Sequence, residues 1–358
     1  MRQCFSIGLF ALLVLSLPGC GGFRDTKPQL PGNLDTLCMP DYASGFEMYR
    51  YDSSTLLRIV NPWQGADSVS QWVFLSRDDE KPPKGFAGET IDVPVRRIVC
   101  MSSSYVAFLE ALGADSTICA ISGTGYIWSD KVRNRIAGGE IAEAGFDNSL
   151  NFEKLVALKP DVVFLYGLTG KNAVTDKLHE LGLKTVYIGD YVENNPLGRA
   201  EWITVFGEFT GRRELARTLF DSISNEYNRA KALVSGVEKR PEVMLNAPWQ
   251  DSWFVPGDRS YMVRLLEDAG GNYACRGVDS DQSRPISTET AFVAASQSDF
   301  WLSPGTATSL AELNAMNPRF GSIPPVRNGN VYNNNARTTP EGGSDFWESG
   351  SAYPDRTL

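Results

Sequence analysis

The chain has 358 residues, with 34 Lys and Arg against 43 Asp and Glu, a formal charge of −9 and one histidine. An acidic chain without a long basic run argues against nucleic acid as a partner. One imidazole leaves naked Zn²⁺ or Mn²⁺ sites and Ser-His-Asp catalysis resting on a single residue, which argues against both.

Met1–Arg2 gives a basic start, Ile7–Leu17 an almost unbroken apolar run, and Leu17-Pro18-Gly19-Cys20 closes it. A run this short reads as an export signal rather than a spanning helix, and no later segment reaches the ~18 apolar residues a span needs. The cysteine after a small residue resembles a lipobox. That resemblance implies removal of residues 1–19, lipid on Cys20 and a periplasmic chain anchored to a membrane without crossing it. Residues 20–43, rich in Gly and Pro at their start, read as a flexible tether.

Residues 44–92 read as a β segment. Gly45–Tyr51 alternates, Asp52-Ser53-Ser54 turns, Thr55–Asn61 runs back, and Trp72–Leu75 adds a third strand. A Lys/Pro/Gly-rich stretch at 81–88 separates it from the βα alternation of 93–196. There Arg97–Met101, Ser116–Ile121, Asp161–Tyr166 and Lys184–Ile188 are strands, and Tyr105–Leu112, Phe152–Leu158 and Asn172–Leu181 helices. Such alternation predicts a parallel sheet covered on both faces.

Apolar residues every three or four positions then make 197–236 a linking helix, with Thr210-Gly211 as a break point. Alternation resumes over 237–358, with strands Glu242–Leu245, Phe300–Leu302 and Asn330–Tyr332 and helices Tyr261–Ala269, Thr290–Ala295 and Leu310–Met316. The fold class is therefore α/β: two Rossmann-like lobes with parallel sheets joined by one long helix, preceded by an extra β segment.

Cys38, Cys100, Cys119 and Cys275 are widely spaced, without a CxxC pair, so no zinc site is expected; one disulfide and buried free thiols both remain open. His179 lies among charged neighbours of a helix and is assigned to its solvated face.

Two α/β halves with a helical link resemble the helix-linked (class III) periplasmic solute-binding proteins of ABC importers for iron-siderophores, haem and cobalamin. The strings that carry this are Arg97-Ile-Val through Ala111-Leu-Gly113, and Gly145 through Asn151-Phe-Glu-Lys-Leu-Val-Ala-Leu-Lys-Pro-Asp-Val-Val163. Pro285-Ile-Ser-Thr-Glu289 is a weaker one. The β segment and the Asn246–Trp253 loop resemble Bacteroides-type lipoprotein members. A final helix expected after Pro354–Leu358 is missing, so the chain reads as truncated. The resemblance implies permease docking through Glu153 and Glu289, one acidic residue on each lobe. Both also suit the first turn of a helix electrostatically.

The implied ligand is a metal chelate held by a monomer between the lobes, first a ferric siderophore, then a corrinoid or haem. No resident cofactor or metal is implied. Loops at the carboxyl ends of strands should line the site. Their aromatics are Tyr105, Tyr126, Trp128, Trp249, Trp253 and Trp347, with Arg259, Arg284 and Arg337 supplying positive charge. No GxSxG elbow, P-loop or complete dinucleotide-binding glycine pattern occurs. The chain therefore reads as a binding protein, with a chelatase-like enzyme or a surface adhesin as the competing classes.

Overall fold

The computed structural model describes residues 34–358 except 147–148, 168–172 and 250–251, and of Trp249 the backbone alone. Alternating residues build the first sheet. In β2 (Phe46–Tyr51) Phe46 and Met48 point inward, while Glu47 pairs across the strands with Arg58 of β3 (Ser54–Val60) at 3.1 Å. With β1 (Asp35–Cys38), β4 (Ser70–Ser76) and β5 (Glu89–Asp92) these form a five-stranded sheet in the order β1-β2-β3-β4-β5, antiparallel except for β4–β5.

The flexible tether expected to reach residue 43 therefore ends earlier, because Asp35–Cys38 is already a strand. Beyond it, Glu201 accepts the N–H groups of Asp41, Tyr42 and Ala43 at 2.8–2.9 Å, and Glu193 those of Ser44 and Gly45 at 2.9–3.1 Å. Buried carboxylates satisfied by backbone donors hold this segment in place.

The first lobe is a parallel sheet in the order β10-β9-β6-β7-β8, built from β6 (Ile98–Cys100), β7 (Ile118–Ile121), β8 (Ala142–Glu143), β9 (Val162–Leu165) and β10 (Thr185–Tyr187). Its central strands are buried throughout, as strands covered on both faces must be. The helices are α1 (Ser103–Ala111), α2 (Asp130–Ala137), α3 (Phe152–Leu158) and α4 (Ala173–Glu180). Asn151 caps α3 by accepting the Lys154 N–H, and Lys159 ends it with a left-handed backbone before Pro160.

The two sheets share one core. The buried Gln71 amide joins them, its Nε2 donating to the Thr185 carbonyl at 2.8 Å and its Oε1 accepting the Tyr187 N–H at 2.9 Å. It thereby satisfies backbone groups on the open edge of β10.

The helical stretch after this lobe is three helices rather than one: α5 (Pro196–Glu201), α6 (Ile203–Thr210) and the 21-residue α7 (Arg213–Leu233). Gly211, at φ +69°, closes α6 where Thr210-Gly211 predicted a break. The long linking helix is therefore α7, and its Tyr227 and Lys231 reach Asp268 of the second lobe, each at 2.8 Å.

That lobe holds β11 (Glu242–Leu245), β12 (Pro248–Trp249), β13 (Ser252–Val255), β14 (Asn272–Tyr273), β15 (Arg284–Ser287), β16 (Phe300–Leu302) and β17 (Val331–Tyr332). They form a parallel sheet, β14-β11-β16-β17, and a small antiparallel one, β12-β13-β15. Its helices are α8 (Tyr261–Asp268), α9 (Thr288–Ser296), α10 (Leu310–Met316) and α11 (Pro324–Arg327).

The chain's last helix, α12 (Asp345–Ala352), returns to pack on α1 and α5, with Ala352 in the first lobe's core. Residues 345–358 thus lie with the first lobe, contrary to the expected single C-terminal unit 237–358. His179 is also corrected. It is half-buried, with Nε2 2.7 Å from Thr185 Oγ1 and 3.4 Å from Glu89, because β5 covers that helix face. Cys38, Cys100, Cys119 and Cys275 are free thiols, the last three buried. Among the described residues no helix is long and apolar enough to cross a membrane.

Candidate functional site

A cleft of about 660 Å³ opens between the lobes, and its walls are the carboxyl ends of strands. Tyr191 and Arg199 come from the segment after β10, Asn246 follows β11, Ser303 and Gly305 follow β16, and Asn333 and Asn334 follow β17. The loop after β3, Asn61 to Ala66, adds a wall from the N-terminal sheet. Strand ends leave backbone groups and loop side chains facing one space, which is why open α/β folds bind there. The size lies within the ~300–1,000 Å³ typical of small-molecule sites.

Its chemistry is aromatic and amide-rich. Trp63, Tyr191, Tyr261 and Trp347 contribute rings, and Asn61, Asn194, Asn246, Asn333 and Asn334 contribute neutral hydrogen-bonding groups. Arg199 is the one arginine among the described lining residues. Its guanidinium is occupied, donating to the carbonyls of Tyr191 (2.8 Å) and Glu193 (3.2 Å) and lying 3.8 Å over the Tyr261 ring.

Beneath this wall Asp190 is 1% exposed. Burial raises its carboxyl to about 6, against the opposing pull of a Ser104 hydrogen bond, the Arg199 charge and the Tyr191 N–H. Burial likewise raises the Tyr191 phenol. Its hydroxyl accepts the Gln64 N–H at 3.3 Å and donates to the Gly167 carbonyl at 3.0 Å. Among the described residues no group of three or more His, Cys, Asp or Glu is placed to hold a metal ion.

Of the residues expected to bind ligand, Trp347 lines the cleft. Tyr105 does not, because it is fully buried in the first lobe's core, its hydroxyl donating to the carbonyls of Leu165 and Ile188, both at 3.1 Å. Trp253 is corrected in the same way. Its indole N–H donates to the Leu245 carbonyl at 3.1 Å, and its ring packs on Trp301, Phe292 and Phe320 in the second lobe's core.

Tyr126 is exposed and meets Phe146 edge-on, away from these walls. The loop it sits on is held by Glu143, which accepts the N–H groups of Gly123, Thr124 and Gly145. Burial acts to raise the Glu143 pKa, but these hydrogen bonds outweigh it and lower the carboxyl.

Trp128 lies under Arg337, 5.7 Å from ring centroid to guanidinium carbon, and Arg337 itself pairs with Asp345 at 2.9 Å on a neighbouring surface cavity. Arg259 is an exposed partner of Asp279, and Arg284 is half-buried in β15 opposite Val255. Both stand apart from the cleft walls, although Asp281 and Ser283, just before Arg284 in the chain, reach them. The side chain of Trp249, residues 147–148 and 168–172, and Cys20 lie outside the described residues. Glu153 and Glu289 are exposed in the first turns of α3 and α9, on separate lobes.

The sequence reading missed Trp63, Tyr191, Arg199, Tyr261 and the asparagines. Asn333-Asn334-Asn335 directly after β17 was a legible signal, since amides clustered at a strand's carboxyl end serve either turns or ligands.

Residues 98–338 match the model of the family described as periplasmic binding protein. The uncharacterized lipoprotein MJ0878 of Methanocaldococcus jannaschii is 26% identical, covering 100% of this chain and 91% of its own. Among solved structures, the periplasmic haem-binding protein of Vibrio cholerae superposes with a TM-score of 0.58 at 18% identity, covering 73% of this chain and 98% of its own. A possible iron-binding, periplasmic solute-binding protein of Staphylococcus epidermidis gives 0.57 at 19%, covering 74% and 95%. The periplasmic vitamin B12-binding protein of Vibrio cholerae gives 0.54 at 12%, covering 73% and 94%. With the family model spanning the parallel sheets of both lobes, the chain belongs to the periplasmic binding protein family, whose members bind solutes and are not enzymes.

Proposed function

We propose that the protein captures a siderophore-sized metal chelate in the interlobe cleft and delivers it to the permease of an ABC importer, held at the membrane surface by a lipid on Cys20. The observation that carries this reading is the composition of the 660 Å³ cleft, aromatic and amide-lined with one arginine among its described walls. Polyanions are recognised by forks of free arginine. Here Arg199 is held against two backbone carbonyls and the Tyr261 ring, and Asp281 adds negative charge. The walls therefore suit a chelate of low charge that presents amide and hydroxyl groups, such as a ferric hydroxamate, better than haem or a ferric catecholate. A corrinoid is the second reading, favoured by the asparagines because its rim carries carboxamides. The solved neighbours named for haem, iron and vitamin B12 support the general class.

Titrating the purified protein with a neutral ferric trihydroxamate, cyanocobalamin and haemin, followed by tryptophan fluorescence and absorption, tests this. Tightest binding of the hydroxamate is expected; preference for haemin would reject the charge argument. Cys20→Ala should move the protein to the soluble fraction, and unchanged membrane association would reject the anchor.

A further inference from the structure

We infer that the N-terminal sheet is part of the binding site, and that its Asn61–Ala66 loop is a specificity element contacting the ligand through the Trp63 ring and the Gln64 amide. This rests on the cleft being the ligand site. The sheet lies before residue 98, where the family match begins, yet its loop forms one wall of the cleft.

The loop is built to stay in place. Asn61 and Val69 close its base, the Asn61 N–H donating to the Val69 carbonyl at 2.8 Å and the Val69 N–H to Asn61 Oδ1 at 3.0 Å. The Ala66 N–H turns back to the Trp63 carbonyl at 3.0 Å, with Gly65 at φ +77°, a conformation open to glycine. On the first-lobe side Trp63 meets Tyr187 edge-on at 5.1 Å, and the Gln64 N–H reaches the Tyr191 hydroxyl. Approach is close enough that a Cβ on Gly167 would stand 3.2 Å from the Trp63 ring. The sheet beneath cannot drift, because Gln71 ties it to β10 and the two sheets share a core.

A tryptophan fixed on one side by Tyr187 and left half-exposed on the other offers a flat apolar surface with little entropy left to lose on binding. Beside it the exposed Gln64 presents a neutral donor and acceptor. Together they select a ligand with an apolar face and uncharged amide or hydroxyl groups.

The test titrates wild type, Trp63→Ala and Gln64→Glu with the neutral ferric trihydroxamate, cyanocobalamin and haemin, alongside thermal melts. Both variants should bind the tightest wild-type probe at least ~10-fold more weakly, with Gln64→Glu melting as wild type does. Unchanged affinity in both folded variants overturns the inference. If Trp63→Ala does not fold, Gln64→Glu decides alone, and unchanged affinity there overturns it too. Wild type binding none of the three chelates overturns the chelate reading itself and this inference with it, a result distinct from variants that bind as wild type does.

Discussion

The Arg199 guanidinium of α5 lies 3.8 Å over the ring of Tyr261 at the start of α8, so a cation of the first lobe rests on an aromatic face of the second at the cleft wall. Two first-lobe carbonyls aim the guanidinium before Tyr261 is met. Such a contact is worth roughly 1–2 kcal/mol when partly desolvated. Arg199→Ala should lower stability by about that amount and weaken ligand binding, because the wall loses its brace. Arg199→Lys should restore little, since an ammonium cannot stack flat while donating to both carbonyls. Urea denaturation and ligand titration check this; full recovery in the lysine variant would show that charge alone matters.

Glu208 holds the N-terminal sheet to the helical link. It is 1% exposed, accepts from Thr55 at 2.9 Å and Arg77 at 3.2 Å, and pairs with Arg213. Glu208→Ala would leave two guanidiniums without their shared anion. A loss of about 3 kcal/mol is expected, at the lower end for buried pairs because both arginines keep some solvent contact. Thr55→Val, which removes one hydroxyl bonded to the carboxylate and leaves both charges in place, should cost about 1.5–2 kcal/mol. Chemical denaturation distinguishes them, and equal losses would reject the ionic account.

Glu348 gives a pH dependence with a definite sign. Its carboxylate is 2% exposed and accepts the N–H groups of Trp128 (2.7 Å) and Ser129 (3.0 Å). Burial nevertheless raises it to about 7, the two hydrogen bonds opposing and the Glu110 and Asp345 charges adding to the rise. A carboxyl whose pKa is higher folded than unfolded binds more protons in the folded state. Its contribution is complete below the unfolded value of ~4.3 and is lost as pH rises through 7. At about 1.4 kcal/mol per pKa unit, the effect is a few kcal/mol. Urea midpoints should fall between pH 5 and pH 8, and Glu348→Gln should flatten that slope, leaving the same-signed part from Asp190. An unchanged slope in the variant would refute the assignment.

Local pattern makes the lobes readable in the sequence. Asn151 and Lys159-Pro160 bracket α3, Gly211 ends α6, and the buried runs at 98–100 and 162–165 read directly as parallel strands. The cleft was less readable, because an aromatic near a strand end carries no mark of its direction. Tyr105 and Trp253 looked like loop residues but turn inward, where the polar tip of each finds a backbone carbonyl. Trp63 and Arg199 gave no signal, since their place on the cleft depends on the docking of two sheets through Gln71 and on the packing of α5 against α8. The return of α12 to α1 is likewise a tertiary contact with no local signature.

The permease-docking role that the resemblance implies for Glu153 and Glu289 predicts an effect on delivery rather than on capture. Each is an exposed first-turn carboxylate, on α3 after the Asn151 cap and on α9 after the Ser287 cap, one per lobe. Neither lines the cleft, so ligand affinity should be insensitive to both. Exposed charges at helix N-termini contribute roughly 0.3–1 kcal/mol each, so the double variant Glu153→Ala, Glu289→Ala should remain folded. A permease presenting arginines to both would gain register and encounter rate from the charge pairs, and these weaken as salt screens them. Transport in vesicles holding the permease should therefore fall sharply in the double variant while ligand affinity stays as in wild type. Charge reversal of both sites to Lys should reduce transport further, since repulsion replaces attraction. If affinity collapses and transport at saturating ligand survives, the two glutamates serve the pocket and not the permease. If neither changes, docking relies on other parts of the two lobes.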